Sequence, residues 1–390
     1  MMQEQEWQQL AQHIADWRAA IHRYPELSHQ ERLTTEYICQ QLSAFPALHI
    51  SRPAATGAVV RLKGALPGRT IAFRADIDAL PVEEKTGLPC CSTRPGMMHA
   101  CGHDIHTAIL MGVASTLAER WQTLKGEVVF IFQRGEEMSP GGAKELIDSG
   151  TLKDVEMFFA LHVLPALPCG TLALKRGIAS ANRDTFNIWL HGKGGHSSMP
   201  HLTVDPCIAA AETVLALQTI VARELNPQAS AVLSVCSLVC GDGTTSAIPN
   251  DAHICGTNRT FTAEVRQQIK NAMTRMVHGL AQAHRCEAEI RFDDWDYSAI
   301  VNDDALCDIA ERVVRSLGNH SRFLEQHEPM FIGEDFSEYR AQAPICFVWL
   351  GVGDGQEAPP PLHNSYFNPD ERALLQGAKY FLGLAQELVM

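Results

Sequence analysis

Two short motifs carry side chains whose types and spacing suit metal-dependent chemistry. In MMHACGHDIHTA, Cys101 and His103 lie two residues apart, a spacing that favours a loop over one helix face. A thiolate and an imidazole this close can ligate one ion or help to bridge two. In QRGEE, the adjacent carboxylates Glu136 and Glu137 can divide their roles, one binding metal while the other carries protons. The simpler alternatives are a buried cysteine beside a hydrogen-bonded histidine, and a solvated acidic loop.

The elements that must hold these side chains are short apolar strands with helical patterns between several of them. TIAF precedes the FRADID segment, VVFIFQ precedes the two glutamates, MFFALH ends on a histidine, and a further histidine follows ICFVWLGV. Such strands indicate a mostly parallel sheet, whose carboxyl edge collects ligand-binding residues. Asp76 is expected to orient a ligand as an acceptor for its second ring nitrogen. The side chains expected to meet at this edge are Cys101, His103, Glu136, Glu137, His162 and His363, which together offer a thiol, imidazoles and a carboxylate as metal ligands.

A second pattern occupies residues 184–293, where strands and helices follow the order β-α-β-β-α-β. This order is that of a ferredoxin-like domain. The sequence therefore predicts an α/β catalytic domain with a mostly parallel sheet, formed by residues 1–180 and 296–390, and an inserted ferredoxin-like (α+β) domain over residues 181–295.

Composition and charge limit the possible partners. The chain has 390 residues, of which 46% are hydrophobic and 20% charged, and its formal net charge is −13. This acidic balance argues against nucleic acid or an anionic membrane surface as partner. The N-terminus lacks the pattern of a signal peptide, and no membrane span is expected. The 12 cysteines are scattered, as in a cytoplasmic protein with reduced thiols. The acidic pair in LPVEEKTG, Glu83 and Glu84, is expected to be solvated.

Seven motifs in order resemble the aminoacylase, hippurate hydrolase and auxin-conjugate hydrolase branch of the carboxypeptidase-G-like metallopeptidases. They are MHACGHDxHTA, FQxxEE, ALHV, GKGGHSSMPH, GTNRTF, GEDF and LHNS. The resemblance implies two divalent ions per subunit (zinc, manganese, cobalt or nickel) and an inserted lid domain that forms a homodimer. It also implies that Cys101 is the bridging or shared ligand, that His103, Glu137, His162 and His363 are the other ligands, and that Glu136 is the general base. By the same resemblance, His196 reaches the neighbouring active site and stabilises the oxyanion, and Arg259 meets the substrate carboxylate.

Three positions depart from the pattern of this branch. Arg134 and Gly135 stand where Pro and Ala are more frequent, Ile105 stands where Gly is usual, and Ser246 stands where Asn is usual. None of them is an expected metal ligand. The Ser246 position bears on substrate choice more than on reaction type.

The expected reaction is hydrolysis of the amide bond of an N-acyl amino acid by metal-bound hydroxide, with Glu136 as the general base. A dipeptidase or carboxypeptidase using the same site is the first alternative, so a short peptide remains a possible substrate. A thiol enzyme with Cys101 as nucleophile and His103 as base is a second. A structural zinc site, which would have no open position for water, is a third.

Overall fold

The computed structural model describes residues 2–293, 297–318 and 321–390, and the chain forms two compact units. Unit 1 comprises Met1–Ala179, Ile300–Glu328 and Asp335–Met390. Unit 2 comprises Ser180–Ala299 and Pro329–Glu334. No sequence pattern had indicated that the short segment Pro329–Glu334 belongs with unit 2.

The helices and strands alternate along most of unit 1 and again within unit 2. The helices are α1 (Glu4–Arg23), α2 (Arg32–Leu42), α3 (His103–Ala118), α4 (Gly142–Asp148), α5 (Pro206–Thr219), α6 (Ala263–Ala283), α7 (Asp304–Ser316) and α8 (Arg372–Val389). The strands are β1 (Leu48–Ser51), β2 (Ala58–Lys63), β3 (Leu66–Asp76), β4 (Lys125–Gln133), β5 (Met157–Pro168), β6 (Thr171–Leu174), β7 (Gly177–Ile178), β8 (Asn182–His191), β9 (Gly195–His196), β10 (Ala231–Cys240), β11 (Ala247–Ile248), β12 (Asp251–Thr260), β13 (Glu287–Phe292), β14 (Val301–Asn302), β15 (Arg322–Glu325) and β16 (Ile345–Gly353).

The large sheet of unit 1 has the strand order β1-β2-β4-β3-β5-β16-β6-β15. Its central strands β4, β3, β5 and β16 are parallel neighbours, and β15 is parallel to β6. Strands β1 and β2 join antiparallel at one side, and β6 is antiparallel to β16. The predicted α/β class with a mostly parallel sheet is confirmed.

Buried apolar runs in the central strands explain why this sheet forms the core of unit 1. The last six residues of β3 and of β4 are all buried, as are all residues of β16. Helix α3 is buried along its whole length and packs with α1 and α8 in the same apolar core. Because β3 and β4 end at Asp76 and Gln133, the polar residues that follow them leave the core at one edge of the sheet.

The described part of unit 2 contains a four-stranded antiparallel sheet with the order β10-β12-β8-β13 and the two helices α5 and α6. Together with α5 and α6, this is the predicted ferredoxin-like arrangement. Local capping fixes the start of each helix: the Asp205 side chain accepts from the backbone N–H of Cys207, and Thr262 accepts from Val265. Apolar residues of both helices pack on the sheet, among them Leu217 of α5.

Two features of unit 2 differ from the sequence analysis. Cys207 and Cys240 form a disulfide, so the expectation that all thiols are reduced is wrong for this pair. The helical segment Pro206–Glu224 has the length and hydropathy of a membrane span, although no such stretch was expected. Core helices of globular domains share this composition, and here Leu217 and Ile220 are buried in the core of unit 2.

Candidate metal centre

A glycine shapes the loop that carries Cys101 and His103. Gly102 adopts a left-handed conformation with φ +83°, which glycine reaches without steric cost. A Cβ atom built on Gly102 would overlap Cγ2 of Val163, so the loop also needs the missing side chain. Helix α3 begins at the next residue, His103. Cys101 and His103 are both buried, at 6% and 0% exposure.

His162 lies within β5 rather than at its end, because β5 continues beside β16 as far as Pro168. Its Nδ1 donates to the carbonyl oxygen of Val163 at 2.8 Å. The proton is therefore on Nδ1, and the lone pair of Nε2 faces the Cys101 Sγ atom at 3.4 Å. This tautomer leaves Nε2 available to bind a metal ion.

Glu137 and His363 meet on the more open side of the cluster. His363 follows β16 in a loop, has φ +66°, and its backbone N–H donates to the carbonyl of Ala100, next to Cys101. Its Nε2 lies 3.1 Å from Oε1 of Glu137, and its side chain is 52% exposed. Glu137 is more buried, with 12% of its side chain exposed. This exposed imidazole marks the side from which solvent reaches the cluster.

The structure brings all five expected ligands together in unit 1. Ligand atoms of Cys101, His103 and Glu137 lie within 4.8 Å of one another. The distance from His103 Nε2 to Glu137 Oε1 is 3.9 Å. His162 joins through Cys101 and His363 joins through Glu137, at the distances given above. Glu136 precedes Glu137 in the same loop and is buried, with 6% exposure.

Two buried polar atoms in this cluster fit a cation. Among the residues that the structure describes, Nε2 of His103 makes no hydrogen bond, and Oε1 of Glu137 makes none of good geometry although the exposed His363 approaches it to 3.1 Å. Leaving such atoms unpaired is costly, and a metal ion would satisfy both. The donor set of one thiol, three imidazoles and a carboxylate is also one that divalent transition metals bind.

The concentration of negative groups acts on the protonation of the cluster. Burial opposes charge on His103, but the carboxylates of Asp76 and Asp78 outweigh it and raise the pKa of His103 to about 10. Burial raises the pKa of the Cys101 thiol well above its usual value, and the charges of Glu137 and Glu136 add to the effect. A bound dication would reverse both effects, because it favours an unprotonated imidazole and a thiolate.

The acceptor for His103 is Asp78, whereas Asp76, which was expected to orient a ligand, makes its hydrogen bonds to other groups. Oδ1 of Asp78 accepts from His103 Nδ1 at 3.1 Å, which leaves Nε2 for a metal ion. Asp76 instead accepts from Nδ1 of His106 at 2.6 Å and from the Arg74 guanidinium at 2.8 Å. Its nearest oxygen lies 3.7 Å from His103 Nε2, so Asp76 contributes charge to the site without a hydrogen bond to this ligand. FRADID offers both aspartates, and only the backbone turn after β3 decides which of them faces His103.

His106 is close to the cluster but is not available as a ligand. Its ring lies near His103 and His162, and a potential ligand atom of each lies within 4.8 Å of the others and of Asp76. Nδ1 of His106 donates to Asp76, and Nε2 accepts from the backbone N–H of Val163 at 2.9 Å. Both ring nitrogens are therefore used inside the protein. His106 stands three residues after His103 in the same motif, and this i, i+3 spacing at the start of α3 indicates that the two imidazoles lie close together.

A network of buried hydrogen bonds holds the carboxyl ends of β3 and β4 in place. Arg74 donates to Asp335 at 2.7 Å and to the Gln133 side-chain oxygen at 2.9 Å. Asp335, from the GEDF motif, also accepts from the backbone N–H of Ala143 at the start of α4. These contacts fix the end of β4, from which the two glutamates follow.

The other two expected site residues, His196 and Arg259, lie in unit 2. His196 is exposed on β9, and its Nδ1 accepts from the hydroxyl of Ser198 at 2.8 Å. Arg259 is half-buried on β12, and its Nη1 donates to the carbonyl of Asn258 at 3.1 Å.

Glu84 is buried, contrary to the expectation of a solvated pair with Glu83. Only 4% of its side chain is exposed, and Nε2 of His22 lies 3.3 Å away. Glu84 also accepts from the backbone N–H of Ser92 at 2.7 Å. His22 in turn bonds through Nδ1 to Asp104 at 2.8 Å, next to His103. The solvated description holds for Glu83 alone, because that residue is exposed.

Comparison with known proteins matches the chain to one family and to relatives over most of its length. Residues 72–387 match the model of peptidase family M20/M25/M40. The chain is 37% identical over 373 residues to N-acetylcysteine deacetylase of Bacillus subtilis, covering 95% of this chain and 96% of the relative. It is 40% identical over 291 residues to N-acyl-L-amino acid amidohydrolase of Geobacillus stearothermophilus, covering 75% and 78%. A solved dinuclear metal-binding peptidase of the M20 family from Bacillus subtilis has a TM-score of 0.83 at 35% identity, covering 98% of this chain and 99% of the other. The chain therefore belongs to peptidase family M20/M25/M40.

Proposed function

We propose that this chain is a metal-dependent hydrolase that cleaves the amide bond of N-acyl amino acids, releasing a carboxylic acid and a free amino acid. The observation that carries the proposal is the meeting of five donor side chains in unit 1, with the buried Glu136 next to the donor Glu137 in the same loop. The names of the two relatives, a deacetylase and an amidohydrolase of N-acyl amino acids, support this substrate class.

The ligands proposed for two divalent ions are Cys101, His103, Glu137, His162 and His363. When bound, such ions supply Lewis acidity, which lowers the pKa of water towards about 7 and polarises the amide carbonyl. Zinc, manganese, cobalt and nickel all suit a mixed set of sulfur, nitrogen and oxygen donors. Among the protein groups, Asp78 fixes the orientation of His103, and the backbone bond of His363 to Ala100 fixes the exposed ligand.

The role proposed for Glu136 is proton transfer. Its carboxylate takes a proton from the attacking water and returns it to the leaving nitrogen. The backbone N–H of its neighbour Glu137 donates to Oδ2 of Asp78 at 3.0 Å. This bond holds the loop, so the carboxyl groups of Glu136 and Glu137 keep a fixed position relative to each other. In unit 2, we propose that His196 stabilises the developing oxyanion in the active site of a neighbouring subunit and that Arg259 binds the substrate carboxylate.

A thiol enzyme is the less favourable alternative. A nucleophilic cysteine needs a thiolate, but burial and the nearby glutamates raise the pKa of the Cys101 thiol. The nitrogen close to its sulfur at 3.4 Å belongs to His162, rather than to His103 as that alternative required. These two observations favour a ligand role for Cys101.

Two variants test the proposal. Glu136→Gln should keep the metal content of the wild type and lower kcat by at least about 100-fold, the lower range of general acid–base contributions. Cys101→Ala should lower metal content, because a ligand is lost. Turnover of N-acetyl amino acids and metal content by mass spectrometry are the measurements. Full turnover in Glu136→Gln would remove that residue from the role, and unchanged metal content in Cys101→Ala would remove Cys101 from the ligand set.

A substrate panel distinguishes the proposal from a dipeptidase or carboxypeptidase. N-acetyl and N-benzoyl amino acids should be hydrolysed with a higher kcat/KM than unblocked dipeptides. The reverse order would favour the peptidase alternative with the same metal site. We also propose a cytoplasmic location, which cell fractionation would test.

We further propose that the enzyme is a homodimer formed through unit 2. Strand β10 lies at the edge of the four-stranded sheet and exposes Val232 and Val239, at 40% and 55%. Helix α5 exposes Ile208 and Leu215, at 52% and 71%, one helical repeat of seven apart. An open strand edge and an apolar helix stripe can both pair with the same elements of a second copy. Light scattering should give twice the subunit mass, and Leu215→Asp should shift it towards the monomer; a wild-type monomer would contradict the proposal.

A further inference from the structure

The loop that carries the general base is held by carboxylates on both sides. The backbone N–H of Gly135 donates to Oε1 of Glu31 at 2.8 Å, and the backbone N–H of Glu137 donates to Oδ2 of Asp78 at 3.0 Å. Glu136 is the single residue between these two anchors. Glu31 and Asp78 are both buried, with 0% and 1% exposure, so neither bond competes with solvent.

Arg134 and His29 form a second contact between the same two segments. The guanidinium of Arg134 donates to Nδ1 of His29 from Nε at 3.1 Å and from Nη2 at 2.8 Å. The backbone N–H of His29 donates to the same Glu31 oxygen that accepts from Gly135, at 2.7 Å. The Thr56 hydroxyl occupies the other oxygen of that carboxylate at 2.7 Å. The segment around His29 and the start of the glutamate loop are therefore joined through both a side chain and a shared acceptor.

The contact between His29 and the glutamate loop requires a glycine at position 135. A Cβ atom built on Gly135 would lie 2.6 Å from Nδ1 of His29, so the imidazole occupies the space above the glycine. Gly135 has φ +59° and His29 has φ +66°. The left-handed conformation is unfavourable for a residue other than glycine, so surrounding contacts must hold His29 in place.

We propose that Arg134 and His29 are positioning residues for Glu136, fixing the loop so that its carboxylate stays at proton-transfer distance from the reacting water. The proposal rests on the function proposed above. Arg134 has a further ionic contact with Glu145 at 3.6 Å, but Glu145 is 48% exposed and such pairs contribute little. The bonds to His29 are thus the contacts through which Arg134 acts on the loop. Misplacing a reacting group by about 1 Å can lower turnover by about 100-fold.

The test compares two substitutions of Arg134 in the metal-loaded full chain. Arg134→Met keeps the length of the side chain but cannot donate to His29, whereas Arg134→Gln keeps one donor. We expect kcat on an N-acetyl amino acid to fall by about 10- to 100-fold in Arg134→Met. KM should stay within about twofold and metal content should equal that of the wild type, because no ligand is changed. Arg134→Gln should recover part of the lost kcat.

A double-substitution cycle separates positioning from a general loss of stability. His29→Ala should lower kcat to a similar extent, and Arg134→Met combined with His29→Ala should be little worse than either single variant, because both remove the same contact. Arg61→Met is the matched control: Arg61 is 23% exposed and pairs with Glu127 and Asp154 of unit 1, and its loss should change kcat by less than about twofold.

Several outcomes would overturn the proposal. Wild-type kcat in a folded Arg134→Met protein would do so, and so would a fall that Arg134→Gln does not reduce. Loss of metal content, or a higher KM with unchanged kcat, would show that the contact serves ligand or substrate binding instead. If Arg134→Met does not fold, a wild-type kcat in His29→Ala overturns it alone. Absence of amide hydrolysis by the wild type is distinguishable from all of these, since it refutes the proposed function itself.

Discussion

Replacement of Asp78 by asparagine should weaken metal binding without removing a ligand. Oδ1 of Asp78 accepts from His103, and Oδ2 accepts from the Ser28 hydroxyl at 2.7 Å and from the backbone N–H of Glu137 at 3.0 Å. Asparagine has one carbonyl oxygen and one NH₂ group, so it cannot accept on both sides. If the NH₂ group faces His103, the imidazole proton must move to Nε2, where a metal ion needs the lone pair. If it faces Glu137, that N–H loses its acceptor.

Either orientation of the side-chain amide in Asp78→Asn therefore disturbs one proposed ligand. Loss of such a supporting acceptor typically costs 10- to 100-fold in metal affinity, or about 1.4–2.8 kcal/mol. Competition of the apoprotein with a chromophoric chelator for Zn²⁺ measures this directly. Ser28→Ala is the matched control, because it removes one donor to Asp78 and leaves the bond to His103 intact. Affinity of Asp78→Asn within about threefold of the wild type would refute the orienting role.

Two further predictions concern stability. Gly102→Ala should lower the free energy of unfolding, measured in urea, by about 2–5 kcal/mol. The left-handed φ costs about 1–2 kcal/mol, and overlap with Val163 costs about 1–3 kcal/mol. Gly96 is the control: it has a similar φ of +72° but open space around it, so Gly96→Ala should show only the cost of the left-handed φ. Burial opposes the charge of Glu84, but the bond from His22 and other donors outweighs it and lowers the pKa of Glu84 from 4.5 to about 2. Folding therefore favours the ionised form of Glu84. Glu84→Gln should lower the free energy of unfolding by about 1–3 kcal/mol above pH 4.5, and this difference from the wild type should shrink as pH falls towards about 2. A difference that stays constant over that pH range would contradict the prediction.

Sequence reasoning predicted that these donor side chains would come close together, because a topological rule determines where they lie. Parallel strands end at one edge, so residues that follow β3, β4 and β16 had to come close whatever the details of their loops. The ferredoxin-like order of unit 2 was likewise readable from the alternation of strand and helix patterns. Here the spacing of polar residues relative to apolar runs was sufficient.

The contacts that orient the ligands depended on features that no periodicity encodes. The turn after β3 decides that Asp78 rather than Asp76 faces His103, and spacing alone could not distinguish them. Glu84 was expected to be solvated because adjacent glutamates in a loop are usually exposed, yet this loop covers His22 and buries the carboxylate. The role of Arg134 could not be predicted from its own motif, because its partner His29 lies 105 residues away in the chain.

The disulfide between Cys207 and Cys240 could not be predicted from the composition of the chain. Scattered cysteines predicted reduced thiols, but the start of α5 and the end of β10 bring Cys207 and Cys240 to a Cα separation of 5.7 Å. Their separation of 33 residues gave no indication of this pairing, since it depends on how α5 packs against the edge strand. Tertiary packing, rather than local pattern, determines such pairs.

The dependence of amide hydrolysis on bound metal tests the five-ligand site most directly. Metal content and turnover of an N-acetyl amino acid should be measured together while a chelator removes the ions and a divalent salt restores them. We predict a dinuclear stoichiometry, as in the related peptidase, with turnover that falls and returns in proportion to metal content. Full turnover in a preparation shown by mass spectrometry to contain no divalent transition metal would contradict the proposed site.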